Sequence, residues 1–165
     1  FSLDFRAEER LAQLYVQVAG RSGRAEKQGE VVLQTHYPDH PLLTTLLEKG
    51  YQAFAEETLK LRHNMGLPPF SFQALFKAQC RHSEEAENAL SQLASFFYEQ
   101  KIEGLQVLGP IPAPFSKKAG QYRWQLLLQH ASRKQLQAAL SRYSPELIKS
   151  SQVRLILDVD PLDLS

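Results

Sequence analysis

From Phe72 to Val159 the spacing of apolar residues alternates between the two-residue period of a strand and the 3.6-residue period of a helix. That order restricts the fold more than any other feature of the chain. Phe72–Cys80 reads as a strand. Ser83–Gln100 puts Ala86, Leu90, Leu93, Ala94 and Phe97 on one helical stripe. Ser83 stands there as N-cap, and Glu84, Glu85 and Glu87 lie in the first turns, where the helix dipole favours negative charge. Leu105–Leu108 reads as a short strand, and Gly109–Gln121, rich in Pro, Lys and Gly, as a loop. Tyr122–Gln129 is a strand, Ser132–Tyr143 a helix and Gln152–Val159 a last strand. The order βαββαβ is the split βαβ, ferredoxin-like α+β arrangement. Right-handed crossovers place both helices on one face of a four-stranded antiparallel sheet. Such a fold serves many unrelated purposes, so function has to be argued from sites.

The first part of the chain has a different character. Leu11, Leu14, Tyr15 and Val18 form an apolar stripe on a helix expected over residues 4–19, with Asp4 as N-cap. The helix is expected to end near Gly20. Glu30–Thr35 is a short β-rich run, but nothing in the chain supplies its neighbouring strands. Residues 1–35 therefore look like the last helix and strand of a larger α/β domain. A second helix is expected from Pro41 to about His63, with Leu42, Leu43, Leu46, Leu47, Ala53, Phe54 and Leu61 on its apolar face. Asn64–Ser71, with two adjacent prolines, stops it. The division expected is 1–63, a linker at 64–71, and 72–165. A chain that starts at Phe1, almost directly in a helix, is expected to be a piece of something longer.

Composition excludes several classes. A net charge of +1 over 165 residues means that any basic site is local. The single cysteine, Cys80, rules out an internal disulfide and a multi-cysteine zinc site within this chain, and fits a reducing compartment. No apolar run approaches the ~20 residues that span a bilayer, and no signal peptide is expected from these residues.

Three groups of residues can carry chemistry. Gln17-Val18-Ala19-Gly20-Arg21-Ser22-Gly23-Arg24 places two arginines three residues apart, each after a glycine. Arginine keeps its charge and grips phosphate oxygens bidentately, and glycine lets the backbone approach a ligand. The run is either a mount for two phosphate-directed guanidinium groups or a solvated basic turn. Phe115, Lys117, Lys118, Tyr122, Arg123 and Trp124 mix cations and rings, as single-stranded nucleic acid requires. They equally suit an ordinary turn with Tyr122 and Trp124 facing the core, since residues 122 and 124 must share a strand face. Arg133 and Gln137, four apart on a helix, can receive a peptide carboxylate or form a solvated surface. Asp158, Asp160 and Asp163 resemble a magnesium cluster; the simpler reading is an outward-facing edge and a solvated tail. The five histidines, His36, His40, His63, His82 and His130, show no metal spacing and are read as surface or helix-end residues. Cys80 is read as a small core residue.

Arg6-Ala7-Glu8-Glu9-Arg10, the Gln17–Arg24 run and Thr35-His36-Tyr37-Pro38-Asp39-His40-Pro41 resemble the end of the second, RecA-like helicase lobe of the PriA family, the bacterial primosomal, replication-restart DNA helicases of superfamily 2. Four further segments resemble the domain that ends those proteins. They are Gly66-Leu67-Pro68-Pro69-Phe70-Ser71, Leu108-Gly109-Pro110-Ile111-Pro112-Ala113-Pro114, Tyr122–Gln129 and Leu157-Asp158-Val159-Asp160-Pro161. The resemblance covers essentially the whole chain. The family's Gly-Lys-Thr phosphate loop, Asp-Glu-x-His box and zinc-binding cysteine cluster are not in it and are expected upstream.

The resemblance implies a 3′-to-5′ helicase that uses ATP and Mg2+ and carries zinc elsewhere, in the bacterial cytoplasm at the nucleoid. It implies that Arg21 and Arg24, with Gly20, face ATP bound on the other lobe, with Arg24 the finger, Arg21 the γ-phosphate or structural partner, and Gln17 the nucleotide sensor. It implies forked and single-stranded DNA as substrates, with Lys117, Lys118, Tyr122 and Arg123 as contacts. It also implies docking of the acidic tail of the single-stranded-DNA-binding protein on Arg133 and Gln137, and assembly with PriB, DnaT and the replicative helicase loading system. Taken without the resemblance, the residues describe a non-catalytic ferredoxin-like module that binds nucleic acid or protein. Either way this chain alone is expected to lack ATPase activity.

Overall fold

A glycine placed where no other residue sits comfortably shapes the first of two units. The computed structural model describes residues 6–22 and 30–162. The chain divides into Asp4–Met65 and Gly66–Ser165. In the first unit, α1 (Ala7–Ser22) packs on α2 (Pro41–Asn64). Gly50, at φ 85° and ψ 179°, interrupts α2; a side chain would be strained at that φ. The break resets the helical phase, so the single apolar face expected from Pro41 to His63 does not form. Leu42, Leu43, Leu46 and Phe54 are buried, whereas Leu47 and Leu61 are exposed. Thr45 Oγ1 donates to Glu57 Oε2 at 2.8 Å, tying together the segments before and after the break.

α1 departs from its expected stripe as well. Its buried residue is Ala12, fully enclosed among Leu42, Leu46 and Phe54 with Tyr15 at the margin. Leu11, Leu14 and Val18 are exposed. A small residue at the crossing lets two helices approach closely, and the larger residues are left on the outer side. Arg62 Nη2 donates to Glu9 Oε2 at 2.8 Å and fixes the helix pair at its edge. The helix also runs through Gly20 and Arg21 to Ser22 rather than ending at Gly20. Glu30–Thr35 is not a strand. Its backbone has no ladder to join, and Val32 is 83% exposed. A β-rich composition without a partner strand leaves the backbone groups to water.

The second unit is a four-stranded antiparallel sheet in the order β2-β3-β1-β4, built from β1 (Phe72–Cys80), β2 (Gln106–Lys118), β3 (Gln121–His130) and β4 (Arg154–Val159). Helices α3 (Ser83–Glu99) and α4 (Arg133–Ser150) complete the order βαββαβ. Both helices cover one face. Ala74, Phe76 and Ala78 of β1, Leu126 and Leu128 of β3 and Val107 of β2 pack there against Ala86, Leu90, Leu93, Ala94 and Phe97 of α3 and Leu136 and Leu140 of α4. The α3 stripe is the one the spacing predicts. Phe96, Phe97 and Tyr143 join the two helices through edge-on ring contacts with centroids 5.2 to 6.3 Å apart.

Three boundaries move. β2 is far longer than Leu105–Leu108, because the expected loop is itself extended and pairs with β3 across two irregularities, Leu108/Ile111 and Pro112/Lys117. Gly109, at φ 111°, sits in the first of them, where an added Cβ would meet Gln125 O at 2.9 Å. The hairpin then closes on Ala119 and Gly120 alone, both at positive φ (51° and 77°), the pattern of a turn whose twist matches its strands. α4 runs past Tyr143 and through Pro145 to Ser150. His82, not Ser83, is the N-cap of α3, without a side-chain cap bond. The Ser83 hydroxyl instead accepts the Trp124 indole N–H at 2.9 Å.

Candidate nucleotide, nucleic-acid and peptide sites

Gln17 and Arg21 lie four residues apart on α1 and share an exposed face, on the opposite side of the helix from Ala12. Arg21 is in the last helical turn, where the dipole favours a cation. Gly20 lies inside the helix, and a Cβ there would meet nothing within 4 Å. Packing within this unit therefore places no demand for glycine on it. Gly23 and Arg24 lie outside the described residues, as do Asp4 and Asp163. What α1 presents is an amide and a guanidinium aimed away from the helix pair, beside the uncovered apolar residues Leu14 and Val18. Such a face can grip a phosphate only where another surface brings one.

The hairpin separates the residues that the sequence groups together. Lys117 stands opposite Tyr122 in the ladder. Its Nζ lies 4.9 Å from the Tyr122 ring centroid and donates to the phenolic oxygen at 3.4 Å. Lys118 is exposed beside the turn, and Phe115 is 69% exposed. Trp124 is partly buried against the helix-covered core, its N–H taken by Ser83. Arg123, between Tyr122 and Trp124, faces the other side of the sheet.

On α4, Arg133 Nη2 donates to Asp160 Oδ2, and its guanidinium lies 5.3 Å from the Phe72 ring centroid. Gln137, one turn on, sits exposed at the mouth of a cavity of about 420 Å³ lined by Leu140, Ser144, Pro145, Ile148, Leu157 and Val159. The Ser144 hydroxyl is buried there without a hydrogen-bond partner. Asp160 lies past the end of β4 at φ 51°, so it does not share the outward edge with Asp158 as strand alternation suggests. Asp158 pairs instead with Lys77 at 3.4 Å. Among the described residues no group of three or more His, Cys, Asp or Glu could hold a metal ion, so neither Mg2+ nor zinc has a ligand set there. Cys80 is half-buried against the core, and its thiol donates to Glu85 Oε2 at 3.0 Å.

Two polar clusters escaped the sequence reading. Gln73 donates to Gln129 Oε1 at 2.6 Å, and Gln129 donates to Gln106 Oε1 at 2.9 Å and to Gly66 O at 3.0 Å. No spacing rule links three glutamines on three strands; only the register brings them together. His130 is buried, its Nδ1 accepting from Ser132 N–H and its Nε2 bonded to Glu103 O, and is not a surface residue.

A family model described as the primosomal protein N C-terminal domain matches residues 63–162. The replication restart protein PriA of Haemophilus influenzae is 79% identical over 166 residues, covering 100% of this chain and 23% of that protein. The proteins of that name from Synechocystis and Bacillus subtilis are 33% and 30% identical, over 98% and 96% of this chain and 19% and 20% of their own lengths. The chain thus spans roughly a fifth to a quarter of the length of the curated relatives it matches.

Proposed function

The chain belongs to the PriA family of replication restart proteins, and on that premise we propose that it forms the C-terminal part of an ATP-dependent 3′-to-5′ DNA helicase that recognises stalled replication forks and starts primosome assembly. The observation that carries this reading is the 79% identity along the whole chain to one replication restart protein. Asp4–Met65 is read as the end of a RecA-like lobe. The uncovered Leu11, Leu14 and Val18 of α1 supply the apolar side that the rest of such a lobe would cover. Gly66–Ser165 is read as ferredoxin-like, on the strength of its βαββαβ order and the sheet order β2-β3-β1-β4.

In this reading ATP is held on the other lobe, and α1 brings Gln17, Arg21 and the following Arg24 to its phosphates when the lobes close. A guanidinium stabilises charge that develops on the γ-phosphoryl oxygens as the bond breaks. The chain itself supplies neither the phosphate loop nor the metal ligands. The full-length protein is expected to unwind a forked duplex with ATP turnover stimulated by single-stranded DNA, and this 165-residue chain to hydrolyse none. A full-length protein without DNA-stimulated turnover would leave only a binding module.

Arg133 and Gln137 are read as the receptor for the acidic tail of the single-stranded-DNA-binding protein. A tail carboxylate would replace Asp160 at the Arg133 guanidinium, and an apolar tail residue would enter the cavity beside Gln137. A charge-assisted hydrogen bond contributes ~1.5–3 kcal/mol, so Arg133→Ala is expected to weaken a labelled tail peptide about tenfold or more. Titration by fluorescence anisotropy checks this, and unchanged affinity removes Arg133 from the site.

A further inference from the structure

Between Glu103 and Glu146 the chain has no acidic residue, while it carries Lys117, Lys118, Arg123, Arg133, Lys134 and Arg142. In a chain of net charge +1 that is a marked segregation of charge. The register then adds a cation from elsewhere. Arg123 of β3 stands opposite Gln79 of β1, and Gln79 on its other side stands opposite Arg154 of β4. Trp124, Ala78 and Leu155, next to these three, pack toward the helices. Alternation therefore turns Arg123, Gln79 and Arg154 to the face that carries neither helix of this domain. The two arginines are two strands apart, about 10 Å.

The row continues on both sides. Lys118 pairs with Gln121, which shares the face of Arg123. The irregular stretch of β2 between Pro112 and Lys117 lies opposite Arg123 and carries the exposed ring of Phe115. Among the described residues neither Arg123 nor Arg154 is in an ion pair; Lys77, one row further in, is held by Asp158. The carboxylates at this end of the domain, Glu84 and Glu85, start α3 in the layer on the opposite face. The start of α3 thus puts its carboxylates on the other face of the sheet, and the face of Arg123 and Arg154 offers amides and an exposed ring beside its cations.

We propose that single-stranded nucleic acid crosses the sheet along this row, with phosphates on Lys118, Arg123 and Arg154 and a base stacked on Phe115. The inference rests on the hairpin's reading as a DNA contact and extends it across the sheet to β4. Exposed rings stack on bases whatever their identity, and cations follow the backbone. A duplex keeps its bases stacked internally and has no use for Phe115.

The test is anisotropy of a fluorescein-labelled oligothymidylate of about 20 nucleotides with the 165-residue chain, titrated across a KCl series. Arg154→Gln should lower the slope of log K against log salt by ~0.7, the value for one phosphate contact on a single strand. Phe115→Ala should weaken binding by about 5- to 150-fold with the slope unchanged. Lys134→Gln, on exposed α4, should leave the slope alone. If doubly substituted Lys117 and Lys118 flatten the slope while Arg154→Gln does not, the hairpin contact stands and the row across the sheet is refuted. If neither does, both readings fall. An equal slope loss from Lys134→Gln, or a hairpin duplex bound as tightly and as sensitive to Phe115→Ala, also overturns the proposal.

Discussion

Arg24→Ala in the full-length protein is expected to reduce ATP turnover with saturating single-stranded DNA by ~10³-fold or more, while DNA affinity stays unchanged. The magnitude is that of an arginine supplied across an interface to a transferring phosphoryl group, where the charge acts only in the transition state. The geometry that supports this is on α1. Gln17 and Arg21 already share the exposed side of the helix, opposite Ala12, and the helix continues to Ser22. Arg24 follows Ser22 by two residues in the sequence and lies outside the described residues. Arg24→Lys should not rescue turnover, because an ammonium on a flexible stem cannot reproduce the planar two-point grip. Arg21→Ala separates the roles: a larger loss there than at Arg24 would exchange finger and γ-phosphate partner. Steady-state ATPase measured beside DNA binding decides the matter, and near-normal turnover in Arg24→Ala removes the run from the active site.

What could be read from the sequence divides along a physical line. The helix-covered core was legible because Ala86, Leu90, Leu93, Ala94 and Phe97 repeat at a helical period, and their burial follows from that period alone. α1 was misjudged because its largest apolar residues form a good stripe, yet the contact with α2 is made by Ala12. In a protein whose relatives are four to five times longer, an apolar stripe can serve a surface outside the chain. The strand expected over 30–35 failed for the converse reason: β composition is a preference that needs a ladder to be realised. β2 was cut short because Pro and Gly ordinarily mark loops. Here they sit at irregularities of a long edge strand, where missing donors cost nothing. Among the candidate contacts, Lys117 and Tyr122 are close in sequence as well as paired in the ladder. The pairing of Arg123 with Gln79 and Arg154 was invisible, because it depends on which residues of three distant strands fall opposite one another.

The same blindness hid His130, where the second large effect is expected. His130→Ala should destabilise Gly66–Ser165 by about 3 kcal/mol, lowering its melting temperature by roughly 12–24 °C at ~4–8 °C per kcal/mol. The side chain joins two connections at one end of the sheet. The Ser132 backbone N–H donates to Nδ1 at 2.7 Å, which leaves Nε2 to carry the proton and donate to Glu103 O at 2.9 Å. Ser132 O lies 3.1 Å from the same Nδ1, but the N–H already occupies that lone pair. Ser132 is also the N-cap of α4, its hydroxyl accepting from Gln135 N, so the imidazole helps to set where that helix begins. Truncation removes the partners of the part-buried Ser132 N–H and Glu103 carbonyl, at up to ~1–3 kcal/mol each, and opens a cavity where the buried imidazole stood. Gly104 shows how closely the ring is held. Its φ is +74°, and an added Cβ would lie 3.1 Å from His130 Nε2. Gly104→Ala is therefore expected to be destabilising in the natural background and less so in His130→Ala, where the collision is gone and only the backbone strain persists. His82→Ala, an exposed histidine without a cap bond, should stay within ~0.5 kcal/mol of the natural chain. Trp124 is the one tryptophan and lies in this unit's core, so urea unfolding followed by its fluorescence reports this unit alone. A His130→Ala midpoint equal to that of His82→Ala would show that water satisfies Glu103 and Ser132 as well as the imidazole does.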